Sequence, residues 1–204
     1  MSGQSSPDGI TESDVVVNPR ETGFAPVDPQ VLFGNRNPVV LEIGSGKGRF
    51  LIGTAMERPD LNLLGIEKSL HYHRLIRDRV LKRGLRNVRL MNHDAFLVLQ
   101  RMLPDASISE IHVYFPDPWP RAKQQKRRII RPEALAEMRR VLVDGGSGIY
   151  VTDHQEYFEA AAPYVEAMFR SERRVPTPDD VPRTNYEAKY RSEGRPIYEI
   201  RFWK

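Results

Sequence analysis

Apolar residues along this 204-residue chain come in short, β-branched runs, and between those runs the apolar positions spread out to helical spacing. Val39 to Ile43, Leu61 to Ile66, Val88 to Met91, Ile111 to Phe115 and Gly148 to Thr152 read as buried strands bounded by turn residues. Helical spacing fills the gaps: Gly48 to about Glu57, Ser69 to about Arg83 with Gly84 as its stop, Ala134 to Val141 behind Pro132, and Gln155 to Arg170. Pro163 falls inside the last of these and is expected to kink or restart it. Pro196 to Trp203 alternates Ile197, Ile200 and Phe202 imperfectly with polar residues and reads as a last, antiparallel strand. Strands alternating with helices predict an α/β fold, with a mostly parallel twisted sheet and helices on both faces.

Residues 1 to about 30 break this pattern. They are rich in Ser, Pro, Gly and Asp, with Val15-Val16-Val17 as the one apolar patch, and are expected to form a flexible N-terminal tail. Residues 31–204 then form a single domain, which a 40% hydrophobic content can supply with a core. No apolar run approaches membrane-spanning length, and the first residues lack signal-peptide character. Cysteine is absent, which removes disulfides and thiolate zinc sites and points to a cytoplasmic enzyme. The net charge is +4, but the cations cluster, and clustering suggests a polyanionic partner.

The candidate chemistry begins in Leu41-Glu42-Ile43-Gly44-Ser45-Gly46-Lys47-Gly48-Arg49-Phe50, where a strand meets three alternate glycines and then a helix. Side chains there would block both the sharp turn and the approach of a ligand to the free N–H groups of the helix start. A dinucleotide loop places its third glycine one residue later, and Glu42 before the loop would repel a pyrophosphate. A carboxylate suits a ligand with cationic groups, such as the sulfonium and ammonium of S-adenosylmethionine.

Acids recur at the ends of the predicted strands. Glu67 lies about 20 residues beyond the loop, where an acid in a βαβ unit accepts ribose hydroxyls; the plainer alternative is a carboxylate capping the next helix. Asn92-His93-Asp94-Ala95 follows the third strand, and Asp94 is placed to accept from an adenine amino group. His71 and His73 are two apart on a helix, so they cannot chelate one metal together, and with Arg74, Arg77, Arg79, Lys82 and Arg83 they read as a solvated basic face.

After the fourth strand comes Pro116-Asp117-Pro118-Trp119-Pro120, in which three prolines stiffen a loop that carries an acid and an aromatic ring. A planar base needs both, the acid for its N–H groups and the ring for its face. Residues 121–131 then hold six cations and no acid. Lys123, Lys126, Arg127 and Arg128 are candidates for RNA backbone contacts, which would make binding fall steeply with salt. Thr184-Asn185-Tyr186-Glu187 has the spacing of a capping box and so marks a helix start.

The glycine loop with its spaced acids resembles the Rossmann-like class I S-adenosylmethionine-dependent methyltransferases. LEIGSGKGRF, FPDPW with its KRRI sequel, the Asp153 strand end and TNYE together resemble the bacterial tRNA (guanine-N7-)-methyltransferase family, from about residue 38 onward. The resemblance implies that Glu42, Gly44, Gly46, Glu67, Asn92, Asp94 and Ala95 surround the cofactor and that Asp117 is the catalytic acid. It implies further that Arg121, Asp153, Thr184, Asn185, Tyr186 and Glu187 engage a tRNA substrate at a variable-loop guanine. No metal and no membrane enter that picture, and the chain is expected to act as a monomer or a homodimer.

Three departures fall beside the acid. The family commonly has His and Lys after the Trp, where this chain has Pro120 and Arg121, and Gln124 replaces a usual His. Arg121 keeps the charge but forks where an ammonium points. Two alternatives remain. One is methylation of an exocyclic amine, which is disfavoured because a single proline separates Asp117 from Trp119. The other is a non-catalytic RNA-binding protein, which would be expected to have lost the acids at 42, 67 and 94.

Overall fold

The computed structural model describes residues 9–177 and 179–204. Eight strands form one sheet in the order β1-β4-β3-β2-β5-β6-β8-β7. The centre is parallel: β2 (Val39–Ile43), β3 (Asn62–Ile66), β4 (Val88–Met91), β5 (Ile108–Tyr114) and β6 (Leu142–Thr152). Both β2 and β3 are buried along their whole length, because helices cover both faces and no polar alternation is required. The last strand, β8 (Tyr198–Trp203), runs antiparallel to β6 as its alternation predicts.

Helices α3 (Arg49–Glu57) and α4 (Leu70–Lys82) share one apolar cluster with Leu63, Val88 and Leu90 on one face of the sheet. On the opposite face, α5 (Ala95–Arg101), α6 (Pro132–Val141) and α7 (Gln155–Met168) pack in a cluster with Leu41, Ile111 and Ile200. α7 runs through Pro163 as one helix and does not restart there; the proline is exposed. β6 starts earlier than expected. Asp144-Gly145-Gly146 lies inside it as an irregularity, with Ile108 paired to Leu142 and Glu110 to Ser147.

Two expectations are corrected. Residues 10–17 are not a flexible tail: α1 (Glu12–Val15) and β1 (Val16–Val17) precede the central strands, Ile10 and Val15 are buried, and Val16 and Val17 pair with Leu90 and Met91 of β4. A few residues suffice because they cover the otherwise open edge of β4, and Arg77 of α4 grips Glu12 at 2.8 Å. Further along, α2 (Pro29–Phe33) buries Pro29 and Phe33; residues 1–8 lie outside the described residues. Arg170, read as the end of a helix, instead begins β7 (Arg170–Arg174), antiparallel to β8. β7 is a mostly exposed edge strand with no apolar alternation, so periodicity carries no trace of it.

Candidate active site

The carboxyl ends of β2, β3, β4, β5 and β6 converge on one edge, the place where open α/β sheets bind ligands. Gly44, Gly46 and Gly48 all have positive φ, which lets the loop fold tightly over the end of β2. Gly65 in β3 is small for a different reason. A Cβ there would lie 2.9 Å from both Leu51 and the Ser45 hydroxyl, so its absence is what allows the loop and α3 to sit on the sheet.

Glu42 is 2% exposed and in register with Gly65 and His112, and its Oε2 has no hydrogen-bond partner among the described residues. Burial pushes its carboxyl up to about 8; hydrogen bonds from Ser45 and the Leu51 amide pull the other way, and the charge of Glu67 adds to the rise. An orphaned buried carboxyl oxygen beneath a glycine cradle fits a ligand that brings a cation. Glu67 accepts from Gly46 N at 2.8 Å and from Ser69 N at 2.7 Å, so it ties the glycine loop to the start of α4. The capping role is therefore realised, and each oxygen keeps a lone pair for a ribose hydroxyl.

Asn92 donates to the carbonyls of Glu67 and Lys68, which fixes the β3 exit against the β4 exit. Asp94 caps α5 through the amides of Phe96 and Leu97, while its other oxygen meets Lys68 at 3.1 Å. Burial raises the Asp94 carboxyl, but Lys68 and the two amides outweigh it, and the net shift is downward. Ala95 is the first residue of α5 and half-buried.

Asp117 is exposed at the end of β5. Its loop turns through Phe115 at φ 49° and Trp119 at φ 42°, left-handed conformations that cost non-glycine residues about 1–3 kcal/mol each. Prolines at 116 and 118 cannot adopt such angles, so the bends fall on their neighbours. Arg127 covers the Trp119 ring at 4.9 Å, which occupies a face that the sequence had offered to a base.

The basic segment 122–127 forms a 3₁₀ turn in which Lys123, Lys126 and Arg127 are exposed, as is Arg121 before it. Arg128 is different, and its expected RNA contact is corrected. It is 7% exposed, its Nε donates to the Pro118 carbonyl at 2.8 Å, and its guanidinium lies over Tyr157. A cation inside a charge run has become the brace of the Asp117 loop.

The segment 183–192 approaches the glycine loop, with Tyr186 Cε2 4.0 Å from the point that a Cβ on Gly46 would occupy. Thr184 caps α8 (Asn185–Ser192) by accepting from Glu187 N at 3.0 Å. Glu187 is fully buried and holds Arg183 and Arg191, so its carboxylate serves the fold rather than facing substrate directly. Arg183 also reaches Glu199 of β8 at 2.7 Å and lies over the Tyr114 ring. Asn185 and Tyr186 remain exposed, and Tyr186 feels the charge of Asp117. Asp153 meets Arg195 at 3.3 Å beside Tyr190.

Sequence reasoning missed Arg183 and Glu199. Glu199 had a faint signal, since it faces opposite to Ile200 and Phe202 on an alternating strand. His73, assigned to a solvated face, is 4% exposed, and burial leads the causes that lower its pKa. His71 is exposed on the same helix. Among the described residues no group of three or more His, Cys, Asp or Glu is placed to hold a metal ion. No described helix is long and apolar enough to cross a membrane.

Residues 36–200 match the Methyltransf_4 family, described as "Putative methyltransferase". A tRNA (guanine-N(7)-)-methyltransferase of Aliivibrio fischeri is 37% identical over 182 residues, covering 86% of this chain and 76% of its own length. That of Actinobacillus pleuropneumoniae is 34% identical over 186 residues, covering 88% and 74%. Among solved structures, the 16S rRNA methyltransferase KamB superposes with a TM-score of 0.66 at 18% identity, over 87% of this chain and 94% of its own, which speaks to the fold. The chain belongs to the tRNA (guanine-N7-)-methyltransferase family of class I S-adenosylmethionine-dependent methyltransferases.

Proposed function

We propose that this protein transfers the methyl group of S-adenosylmethionine to N7 of a guanine in tRNA, with the variable loop as the target. Family membership supports the reaction. The choice of loop rests on resemblance.

The cofactor supplies a methyl group on a positively charged sulfur. N7 of guanine already exposes a lone pair, so a new N–CH₃ bond forms as the S–CH₃ bond breaks, and no proton has to leave first. A general base is unnecessary. What the chain's residues must do is hold donor and acceptor in line and balance the positive charge that develops on the purine.

Glu42, Gly44, Gly46, Glu67, Asn92, Asp94 and Ala95 line the edge assigned to the cofactor. Asp117 is the group for the base: it accepts guanine N–H bonds, and its charge opposes the growing cation. Asp153 and the start of α8, where Asn185 and Tyr186 are exposed and Thr184 is the cap, are assigned to the substrate, while Arg121, Lys123, Lys126 and Arg127 offer exposed cations for backbone phosphates. Glu187 acts one step back, by fixing α8. Methylation of an exocyclic amine gains no support, since the single proline between Asp117 and Trp119 stands.

The observation that carries the reading is Asp117 exposed on a stiff loop, braced by the buried Arg128, at the ligand edge of the sheet. Asp117→Ala is expected to retain cofactor binding and to lose methyl transfer to unmodified tRNA, scored by digesting the RNA and locating N7-methylguanosine. Full turnover in that variant would remove Asp117 from the mechanism.

A further inference from the structure

Between the 3₁₀ turn at 122–127, the start of α6 and one face of α7 lies a cavity of about 540 Å³, a size typical of small-ligand sites. Tyr157, Ala161 and Tyr164 recur at i, i+4 and i+7 on α7 and so share the face that lines it. Tyr157 and Ala161 are buried at its floor, where the Tyr157 hydroxyl accepts from the Ile130 amide at 3.0 Å. Tyr164 stands at the rim, 46% exposed, with no hydrogen bond or ring contact among the described residues. Lys126 and Arg131 line the same space from the other elements.

Arg131 is the one cation of the 121–131 run that no role has yet used. Its guanidinium lies over the Phe96 ring at 4.6 Å and donates to the Lys126 carbonyl, which holds the group in place. It is nevertheless under-paired. Its Nε is buried without a hydrogen-bond partner, and its ion-pair partner Glu133, on a side chain 69% exposed, stands off at 3.5 Å. A phosphate can displace so loose a partner, because its oxygens match the guanidinium fork. Arg128, also in the lining, is committed to the Pro118 carbonyl and the face of Tyr157, and so builds the wall. A fixed, under-paired guanidinium, a lysine and a free aromatic face around one cavity suit a ligand that joins an anion to a planar ring. Phe96 gives its amide to Asp94 at 3.1 Å and Arg128 braces the Asp117 loop, so the cavity adjoins the active site without being part of it.

We propose that this cavity is a second nucleotide site for the RNA substrate. A nucleotide other than the target guanine seats its base on Tyr164 and its phosphate between Arg131 and Lys126, against the residue that braces the Asp117 loop. The inference rests on the tRNA reading above and adds Arg131 and Tyr164 to the residues that hold RNA.

The test measures binding of unmodified tRNA by filter binding across a range of salt, with cofactor binding followed by calorimetry. Tyr164→Ala removes an exposed, unbonded ring and is expected to weaken tRNA about 5- to 150-fold with the salt slope unchanged; Tyr164→Trp is expected to keep wild-type affinity. Arg131→Gln is expected to lower the log–log salt slope by about 1. Cofactor affinity should stay constant in all three. Wild-type tRNA affinity in Tyr164→Ala, an equal loss in Tyr164→Trp, or an unchanged slope in a folded Arg131→Gln would each overturn the second site; methylation of guanine N7 by the wild type in the same preparation leaves the function reading intact. AMP, GMP, CMP and UMP are titrated as well. Uptake of one of them that Tyr164→Ala abolishes, with tRNA binding untouched, would assign the cavity to a free nucleotide and overturn the RNA site. A wild-type protein that neither binds nor methylates tRNA would overturn both readings. Should Arg131→Gln fail to fold through its lost Phe96 contact, the two variants at exposed Tyr164 remain decisive.

Discussion

Glu42 makes a quantitative prediction about pH. The folded, cofactor-free protein holds its carboxyl at about 8, against an ordinary 4.5, chiefly because the group is buried. The folded state therefore binds a proton that the unfolded chain gives up near pH 4.5. Stability from this group is full below that pH, is lost at ~1.4 kcal/mol per pH unit up to about 8, and then levels off. The total comes to about 5 kcal/mol, of which about 3 kcal/mol is lost by pH 7. Glu42→Gln removes the titration while keeping the shape. An amide left without a partner costs about 1–3 kcal/mol of its own, so the comparison must be of slopes and not of absolute stabilities. Urea unfolding of the cofactor-free protein at pH 6 and pH 9 should show the wild type losing about 3 kcal/mol more than the Gln variant. The same residue governs cofactor uptake. A cation seated beside Glu42 favours its ionised form, so binding at pH 7 should release a proton from this site, read as a buffer-dependent heat in calorimetry. The Gln variant should release none from this site. Parallel pH profiles in the two proteins, together with buffer-independent heats, would refute a neutral Glu42 in the empty cleft.

Arg128 and Lys126 should separate cleanly. Arg128→Met leaves the Pro118 carbonyl unpaired and should lower stability by about 1–3 kcal/mol and slow methyl transfer, with the salt dependence of tRNA binding unchanged. Lys126→Ala should leave stability alone and reduce the log–log salt slope by about 1, as measured by filter binding; the reverse pattern would return Arg128 to the RNA surface. Gly148 pairs with Phe202 of β8, and a Cβ there would lie 2.1 Å from the ring. Gly148→Ala should therefore destabilise by about 1–3 kcal/mol or more, and an unchanged melting temperature would show that Phe202 moves aside freely.

The central strands were legible because burial on both faces writes itself into sequence as unbroken apolar runs, as in Val39 to Ile43. The edges were not. Val16 and Val17 gain their partners from β4, far along the chain, and β7 is a strand of Arg, Ser and Glu stabilised by the distant Trp203 and by Glu166 of the preceding helix. Pairing of that kind leaves no periodic trace. Charge was misread for a related reason. Arg128 looked identical to Arg127 within the run, and only the fold shows that one faces solvent while the other is enclosed under the Asp117 loop. Charge counts register how many cations there are, and tertiary contacts decide what each one touches.

Capping and ligand binding also turn out not to compete at this edge of the sheet. Glu67 gives one oxygen to Ser69 N and the other to Gly46 N, and Asp94 gives one oxygen to the start of α5. Each of these carboxylates is placed by a helix start, and the helix start exists because the parallel strand has just ended there. A carboxylate so fixed does not have to be ordered again when a hydroxyl or an amino group arrives, so the entropic cost of orienting it has been met in folding. Glu187 marks the limit of that economy. Its helix also begins at the site, but Arg183 and Arg191 take both of its oxygens, and it can only position what stands beside it. The number of acceptor sites left after the local bonds are made, more than the identity of the acid, decides which carboxylates at this edge can meet a ligand.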